Sequence, residues 1–159
     1  MRNLQIIAVG KLKERYLTEG CAEYCKRLAA YGRIRITELE EVRLPERPGE
    51  AQIRAALEAE GRRILERAAG SRLIALCVEG EMLSSEQLAR TLDRLEVEGT
   101  SAFSFAIGSS WGLSEEVKRA AALRLSVSRM TFPHQLMRLI LCEQLYRACS
   151  ISAGARYHK

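Results

Sequence analysis

Five short apolar runs, separated by stretches with helical spacing, set the tightest limit on what this chain can fold into. Leu4–Val9, Ile34–Leu39, Arg72–Val78, Phe103–Ile107 and Leu123–Val127 are each of strand length. Between the first two, Tyr16, Leu17, Cys21, Tyr24, Leu28 and Tyr31 recur as one face of a helix over residues 13–31, which Gly32 is expected to stop. Ile53, Leu57, Ile64 and Leu65 mark a second helix over 51–69. Leu88, Leu92 and Leu95 mark a third that starts at Ser84 or Ser85 and runs to about Glu98. Ser114 opens a short helix, and residues 134–149 form a last one. Strands alternating with helices predict an α/β fold with a mostly parallel sheet flanked by helices. No repeat or linker divides residues 1–159, so a single domain is expected.

Two predicted strand-end segments stand out. After the Phe103 strand, Gly108, Ser109, Ser110 and Gly112 let the backbone turn sharply or approach a ligand. After the Leu123 strand comes Ser128-Arg-Met-Thr-Phe-Pro-His134, a hydroxyl-rich loop closed by Pro133. If these two strands are neighbours in a parallel sheet, the loops meet at its carboxyl edge, where open α/β sheets bind ligands. A cofactor pocket is expected there. The polar stretch 41–50, with Pro45, Pro48 and Gly49, reads as a loop.

Charge is unevenly placed. The chain carries a net +5, but from Lys118 onward there are eight Lys and Arg against the single acid Glu143. The C-terminal 42 residues therefore hold +7 and the first 117 hold −2, an asymmetry suited to a polyanion. Five cysteines without a CxxC pair or a nearby His at zinc spacing point to reduced, buried thiols and a cytoplasmic location. No apolar run is long enough to span a bilayer, and MRNLQIIAVG reads as a strand rather than a signal peptide. Phosphate-loop, dinucleotide and HExxH zinc signatures are absent.

The last helix is apolar nearly all round: Leu136, Met137, Leu139, Ile140, Leu141, Cys142, Leu145 and Tyr146 leave little polar surface. A second copy of the chain is a natural source of cover, so a homodimer is expected, with burial inside the monomer as the alternative. Glu143 and Arg147 stand four apart on this helix, on a face shared with Leu136 and Ile140, in the favourable order for an ion pair.

Taken together, KLKERYLTEGCAEYCKRL, IGSSWGLS, LSVSRMTFPHQLMRLILCEQLYRA and the terminal YHK resemble the ribosomal RNA large subunit methyltransferase H family, over the whole chain. Those are small bacterial SPOUT-class enzymes that methylate N3 of a pseudouridine in 23S rRNA. The resemblance implies a C-terminal trefoil knot, which pattern alone would argue against because knots are rare. It implies S-adenosylmethionine held by Leu76, Gly108, Val127, Ser128, Arg129, Met130, Thr131 and Phe132. It further implies the 70S ribosome as substrate and a homodimer in which one subunit's tail completes the other's pocket. Two departures stand out: Ser109 replaces a glycine common in the family, and AGARYHK replaces the usual RGEPYHK tail.

Such chemistry needs a proton removed from an imide nitrogen and the resulting anion stabilised. His158 is the expected base on titration range, with Tyr157 and Glu143 as rivals; Arg147 is placed to stabilise the anion. His134 is expected to shape the loop. Arg129, Arg138, Arg156 and Lys159 are the candidate RNA contacts. No metal ligand cluster is seen, and none is required. Two further readings stay open: a catalytically silent ribosome-binding protein of the same fold, and a related methyltransferase acting on transfer RNA.

Overall fold

The computed structural model describes residues 2–159. In chain order the elements are β1 (Arg2–Val9), α1 (Arg15–Leu28), β2 (Gly32–Leu39), α2 (Glu50–Ala68), β3 (Arg72–Met82), α3 (Ser85–Val97), β4 (Ala102–Ile107), α4 (Glu115–Ala120), β5 (Leu123–Ser126) and α5 (His134–Ser152). The strands form one sheet in the order β2-β1-β4-β3-β5, and every pairing is parallel.

Both faces of the central strands are covered, which is why Ile6–Val9 of β1, Leu73–Leu76 of β3 and Phe105–Ile107 of β4 are continuously apolar, whereas the edge strands β2 and β5 alternate. Ile6, Phe105 and Ile74 lie side by side in register and join a core with Leu88, Leu92, Leu141 and Leu145 from α3 and α5. The next residue of each strand, Ile7, Ala106 and Ala75, faces the other way, toward Ile64 of α2 and Val117 of α4. Each fully buried Ile, Leu or Phe contributes roughly 1.5–3 kcal/mol of transfer free energy. No helix is long and apolar enough to cross a membrane among the described residues. All five cysteines are free thiols; Cys21, Cys142 and Cys149 are buried, while Cys25 and Cys77 are only half-buried.

Several expectations need correction. The Phe103 strand (β4) and the Leu123 strand (β5) are not neighbours, because β3 lies between them. Their loops still converge, since all carboxyl ends lie at one edge. Strand β3 runs on past Val78. It pairs with β5 through Ile74–Leu76, slips register, and pairs again where Glu81 and Met82 meet Leu125 and Ser126. Residues 77–80 form the arc between. Gly80 has no room for a side chain: a Cβ there would stand 2.8 Å from the Arg124 carbonyl. Gly32 does not stop α1, which ends at Leu28. It begins β2, where a Cβ would lie 2.4 Å from the Arg2 carbonyl oxygen.

Two buried charges hold the elements that frame the carboxyl edge. Arg138, at 2% exposure, is not an RNA contact: its guanidinium donates to Glu38 at 2.6 Å and to the Gly10 carbonyl at 3.1 Å. It ties α5 to the ends of β1 and β2. Glu60 of α2 is 3% exposed, and one oxygen accepts from the Val42 N–H at 2.9 Å. The other oxygen has no aligned donor, although the Ser109 hydroxyl is near enough to favour the ionised form. Burial, and next the nearby Glu41 charge, push the Glu60 carboxyl up, against the opposing pull of the Val42 amide, Arg63 and Ser109.

Two stability predictions follow from these groups. Replacing Arg138 by Met strands the Gly10 carbonyl, a loss of about 2 kcal/mol, and thermal unfolding should fall by roughly 4–8 °C for a chain of this size. A carboxyl whose folded pKa is raised favours the folded state at low pH, and that contribution is lost as pH rises through the folded value. Glu60→Gln should therefore raise the melting temperature near pH 7, and the gain should vanish below the ordinary carboxylate range. Melting curves across that pH span would show a constant difference if burial of the charge were irrelevant.

Candidate functional site

The carboxyl edge of the sheet opens into a cavity of about 610 Å³ formed by three loops. The end of β3 supplies Leu76–Glu79, the β4–α4 turn supplies Ile107–Leu113, and the segment after β5 supplies Val127, Ser128 and Met130–His134. Leu76, Ile107 and Leu125, all buried, make an apolar floor. That volume lies within the range typical of small-molecule pockets.

Each loop is shaped by its own residues. In the β4–α4 turn, the Gly112 N–H donates to the Ser109 carbonyl at 2.9 Å, and the Trp111 N–H donates to Ser109 Oγ at 3.3 Å. Gly112 sits at φ +92°, a left-handed conformation that suits glycine. A Cβ on Gly108 would lie 2.1 Å from the Gly112 carbonyl oxygen, so the turn closes only with glycine there. After β5, Ser126 Oγ donates to the Ser128 carbonyl at 2.9 Å and the Met130 N–H donates to Ser128 Oγ at 3.0 Å. At the lip, Lys118 Nζ pairs with Glu79, and burial pushes the Cys77 thiol up, keeping it neutral.

Seven of the eight positions expected to hold a cofactor line this cavity: Leu76, Gly108, Val127, Ser128, Met130, Thr131 and Phe132. Arg129 does not; it is exposed and lies outside the lining. His134 and Met137, at the start of α5, line the cavity beside Pro133.

The residues expected to do chemistry form a second group. None of Glu143, Arg147, Tyr157 and His158 lines the cavity of their own chain. The tail folds back along α5 instead of fraying. Tyr157 packs edge-on against Tyr146, ring centroids 4.6 Å apart, and Tyr146 in turn touches Tyr24 and Tyr31. One Glu143 oxygen accepts from the Tyr157 hydroxyl at 3.0 Å and from Arg147 Nε at 3.0 Å. Arg147 also lies over the Tyr157 ring, 4.7 Å from its centroid. Its Nη1 meets His158 Nδ1 at 3.1 Å, and His158 Nε2 meets Glu86 of α3 at 2.6 Å.

These contacts assign protons. Arginine only donates, so Nδ1 of His158 accepts and Nε2 carries the hydrogen given to Glu86. Burial, followed by the Tyr24 and Glu143 contacts, pushes the Tyr157 phenol up to about 12, so it is a donor rather than a base near neutrality. The Glu86 carboxyl is lowered to about 2, first by its own backbone N–H and then by His158. Sequence reasoning missed Glu86. Its only signal was an acid in the first turn of α3, which reads as a helix-dipole contact. Of the expected RNA contacts besides Arg138, the side chains of Arg129, Arg156 and Lys159 are all exposed.

Residues 2–158 match the family model described as "Predicted SPOUT methyltransferase". The chain is 55% identical to the ribosomal RNA large subunit methyltransferase H of Pelotomaculum thermopropionicum, covering 99% of each chain. It is 51% identical to the protein of the same name from Bacillus pumilus and 49% identical to that of Bacillus thuringiensis, again over 99% of each chain. A trefoil-knotted α/β fold goes with that likeness, and the arc of β3 over β5 is the part of this sheet that departs from plain parallel pairing. Fold, carboxyl-edge pocket and a match spanning nearly every residue agree: this chain belongs to the SPOUT methyltransferase family.

Proposed function

We propose that this enzyme transfers a methyl group from S-adenosylmethionine to N3 of a pseudouridine in 23S rRNA of the assembled ribosome, in the cytoplasm and as a homodimer. The observation that carries this reading is the ordered tail: Glu143, Arg147, Tyr157 and His158 are knitted together, yet stand outside their own chain's pocket. A second protomer brings such a cluster to the pocket. Leu136 and Ile140 support that, being only half-buried on α5 and packed into neither core. The full-length likeness to proteins named ribosomal RNA large subunit methyltransferase H supports the substrate class.

The donor fits the cavity on chemical grounds. The apolar floor of Leu76, Ile107 and Leu125 suits a purine, the loop backbones offer hydrogen bonds to its edges, and Gly108 lets the turn close tightly. Bound there, S-adenosylmethionine supplies an electrophilic methyl on a sulfonium that leaves as a neutral thioether. The protein's share of the work is positioning and proton management. The uracil imide becomes a good nucleophile only on losing its N3 proton. His158 accepts that proton at Nδ1 once Arg147 turns from it, and Arg147 then faces the anion that develops on the base's carbonyl oxygens. Glu86 holds the other imidazole nitrogen, fixing ring orientation. Glu143, itself held by the Tyr157 hydroxyl, tethers Arg147 through Nε while Nη1 leaves His158 for the base. Arg129, Arg156 and Lys159 are free to meet phosphates.

Incubation of 70S particles lacking the modification with labelled donor should place label in 23S rRNA. Label confined to transfer RNA, or ribosome binding with no label, would favour the two other readings instead. Arg147→Ala should lower kcat by about 10²–10³-fold and His158→Ala by about 10²–10⁴-fold, with donor binding by calorimetry retained in both. Gly108→Ala should do the reverse and abolish donor binding. Loss of donor binding in both tail variants would contradict this division of roles.

A further inference from the structure

Trp111 lines the cavity but has no role in the chemistry set out above, and 49% of its surface is in water. Of the other large aromatics, Phe103 and Phe105 are buried, Phe132 is half-buried, Tyr24, Tyr31 and Tyr157 pack around Tyr146, and exposed Tyr16 does not line the cavity. We propose that Trp111 is a substrate-binding residue, a stacking platform for an RNA base entering beside the target. The proposal rests on the reading of the substrate as RNA.

Three observations favour that occupant. First, the indole is presented by a turn with little freedom. The Trp111 backbone N–H donates to Ser109 Oγ, the Ser109–Gly112 bridge closes the turn, and Gly108 packs against Gly112, so the backbone that carries the indole is set. A platform fixed in advance loses little entropy on stacking. Second, Met130, 73% exposed, lines the same cavity from the loop after β5, so a flat group on the indole has an apolar wall on a second side. Exposed Arg129 adjoins Met130 in sequence and supplies a cation for the adjoining phosphate. Every base has a π face, so such stacking needs no particular sequence. Third, the rival occupants have places of their own. A donor seated on Leu76, Ile107 and Leu125 is held at the floor rather than the rim. The half-buried apolar face suited to a second copy is Leu136 and Ile140 on α5, a different element.

Trp111 is the only tryptophan in the chain, so intrinsic fluorescence reports on this one side chain. Titrating the intact protein with S-adenosylmethionine alone should leave the emission unchanged. Steady-state methylation of 70S particles should show Trp111→Ala raising KM for ribosomes about tenfold, with kcat changed no more than about twofold and Trp111→Phe recovering most of the loss. Donor affinity by calorimetry and subunit mass by light scattering should match the unaltered protein. Quenching by donor alone, with weaker donor binding in Trp111→Ala, would assign the indole to the donor site and overturn the proposal. Conversion of Trp111→Ala to a monomer would assign it to a protein interface, and an unchanged KM would make it a bystander; either overturns it. Failure of the unaltered protein to methylate ribosomes would instead overturn the functional reading, and the two failures are thus separable.

Discussion

The backbone of β5 runs so close to Gly80 that no side chain fits between them, and the geometry of the site depends on that contact. It allows β3 to leave the sheet at Cys77, arc over β5 and pair with it again at Glu81 and Met82. The arc places Leu76–Glu79 between the β4–α4 turn and the loop after β5, although the two strands carrying those loops are not adjacent. Without it, a cavity at the carboxyl edge would have two walls instead of three. Gly108 repeats the device in the facing turn, where a Cβ would collide with the Gly112 carbonyl. In both places a missing side chain lets backbone meet backbone, which leaves the loops little room to rearrange.

Around this frame, charge is used in two different ways. Inside the protomer, Arg138 and Glu60 are nearly inaccessible and brace the elements that carry the loops. On the surface of α5, the group of Glu143, Arg147, Tyr157 and His158 is half-buried and fully connected, and its hydrogen bonds specify a neutral His158 with a defined tautomer. A terminal segment seldom keeps such order unless something holds it down. Here the tyrosine stack with Tyr146, Tyr24 and Tyr31 does so. The altered residues Ala153, Ala155 and Arg156 leave the stack intact, because its contacts come from Tyr157, from Tyr24 of α1, from Tyr31 in the turn before β2 and from Tyr146 of α5.

Much of the architecture was legible in the residues. Continuous apolar runs such as Phe103–Ile107 betrayed strands buried on both faces, and the periods of Leu88, Leu92 and Leu95 or of Ile53 and Ile64 placed helices on either side. Strand order was not legible: nothing local in Leu73–Leu76 says that β3 lies between β4 and β5. The continuation of β3 was hidden because the apolar run stops at Val78, whereas the backbone of residues 79–82 is shaped by β5 across the sheet. Gly32 misled for a related reason, since a glycine needed for close approach to Arg2 looks the same in sequence as one that ends a helix. Arg138 lay in a basic C-terminal segment, and composition cannot separate a cation facing solvent from one paired internally with Glu38. Of the seven cavity residues, Gly108, Ser128, Met130, Thr131 and Phe132 lie in the two strand-end segments read as a pocket from the residues themselves, whereas Leu76 and Val127 came from family likeness; Glu86 was missed because its partner lies 72 positions away.

On the proposed reading, the pocket of one protomer works with the tail of the other, and this is the claim on which the chemistry turns. Mixing two inactive variants tests it most directly: Gly108→Ala, defective in its pocket, and Arg147→Ala, defective in its tail, allowed to exchange subunits before assay on 70S particles. If the site is shared, each mixed dimer holds one pocket and one tail that are both intact, and an equal mixture should recover about a quarter of normal activity by random pairing. If pocket and tail act within one chain, no combination restores a site. A mixture that exchanges subunits yet stays inactive would contradict the account.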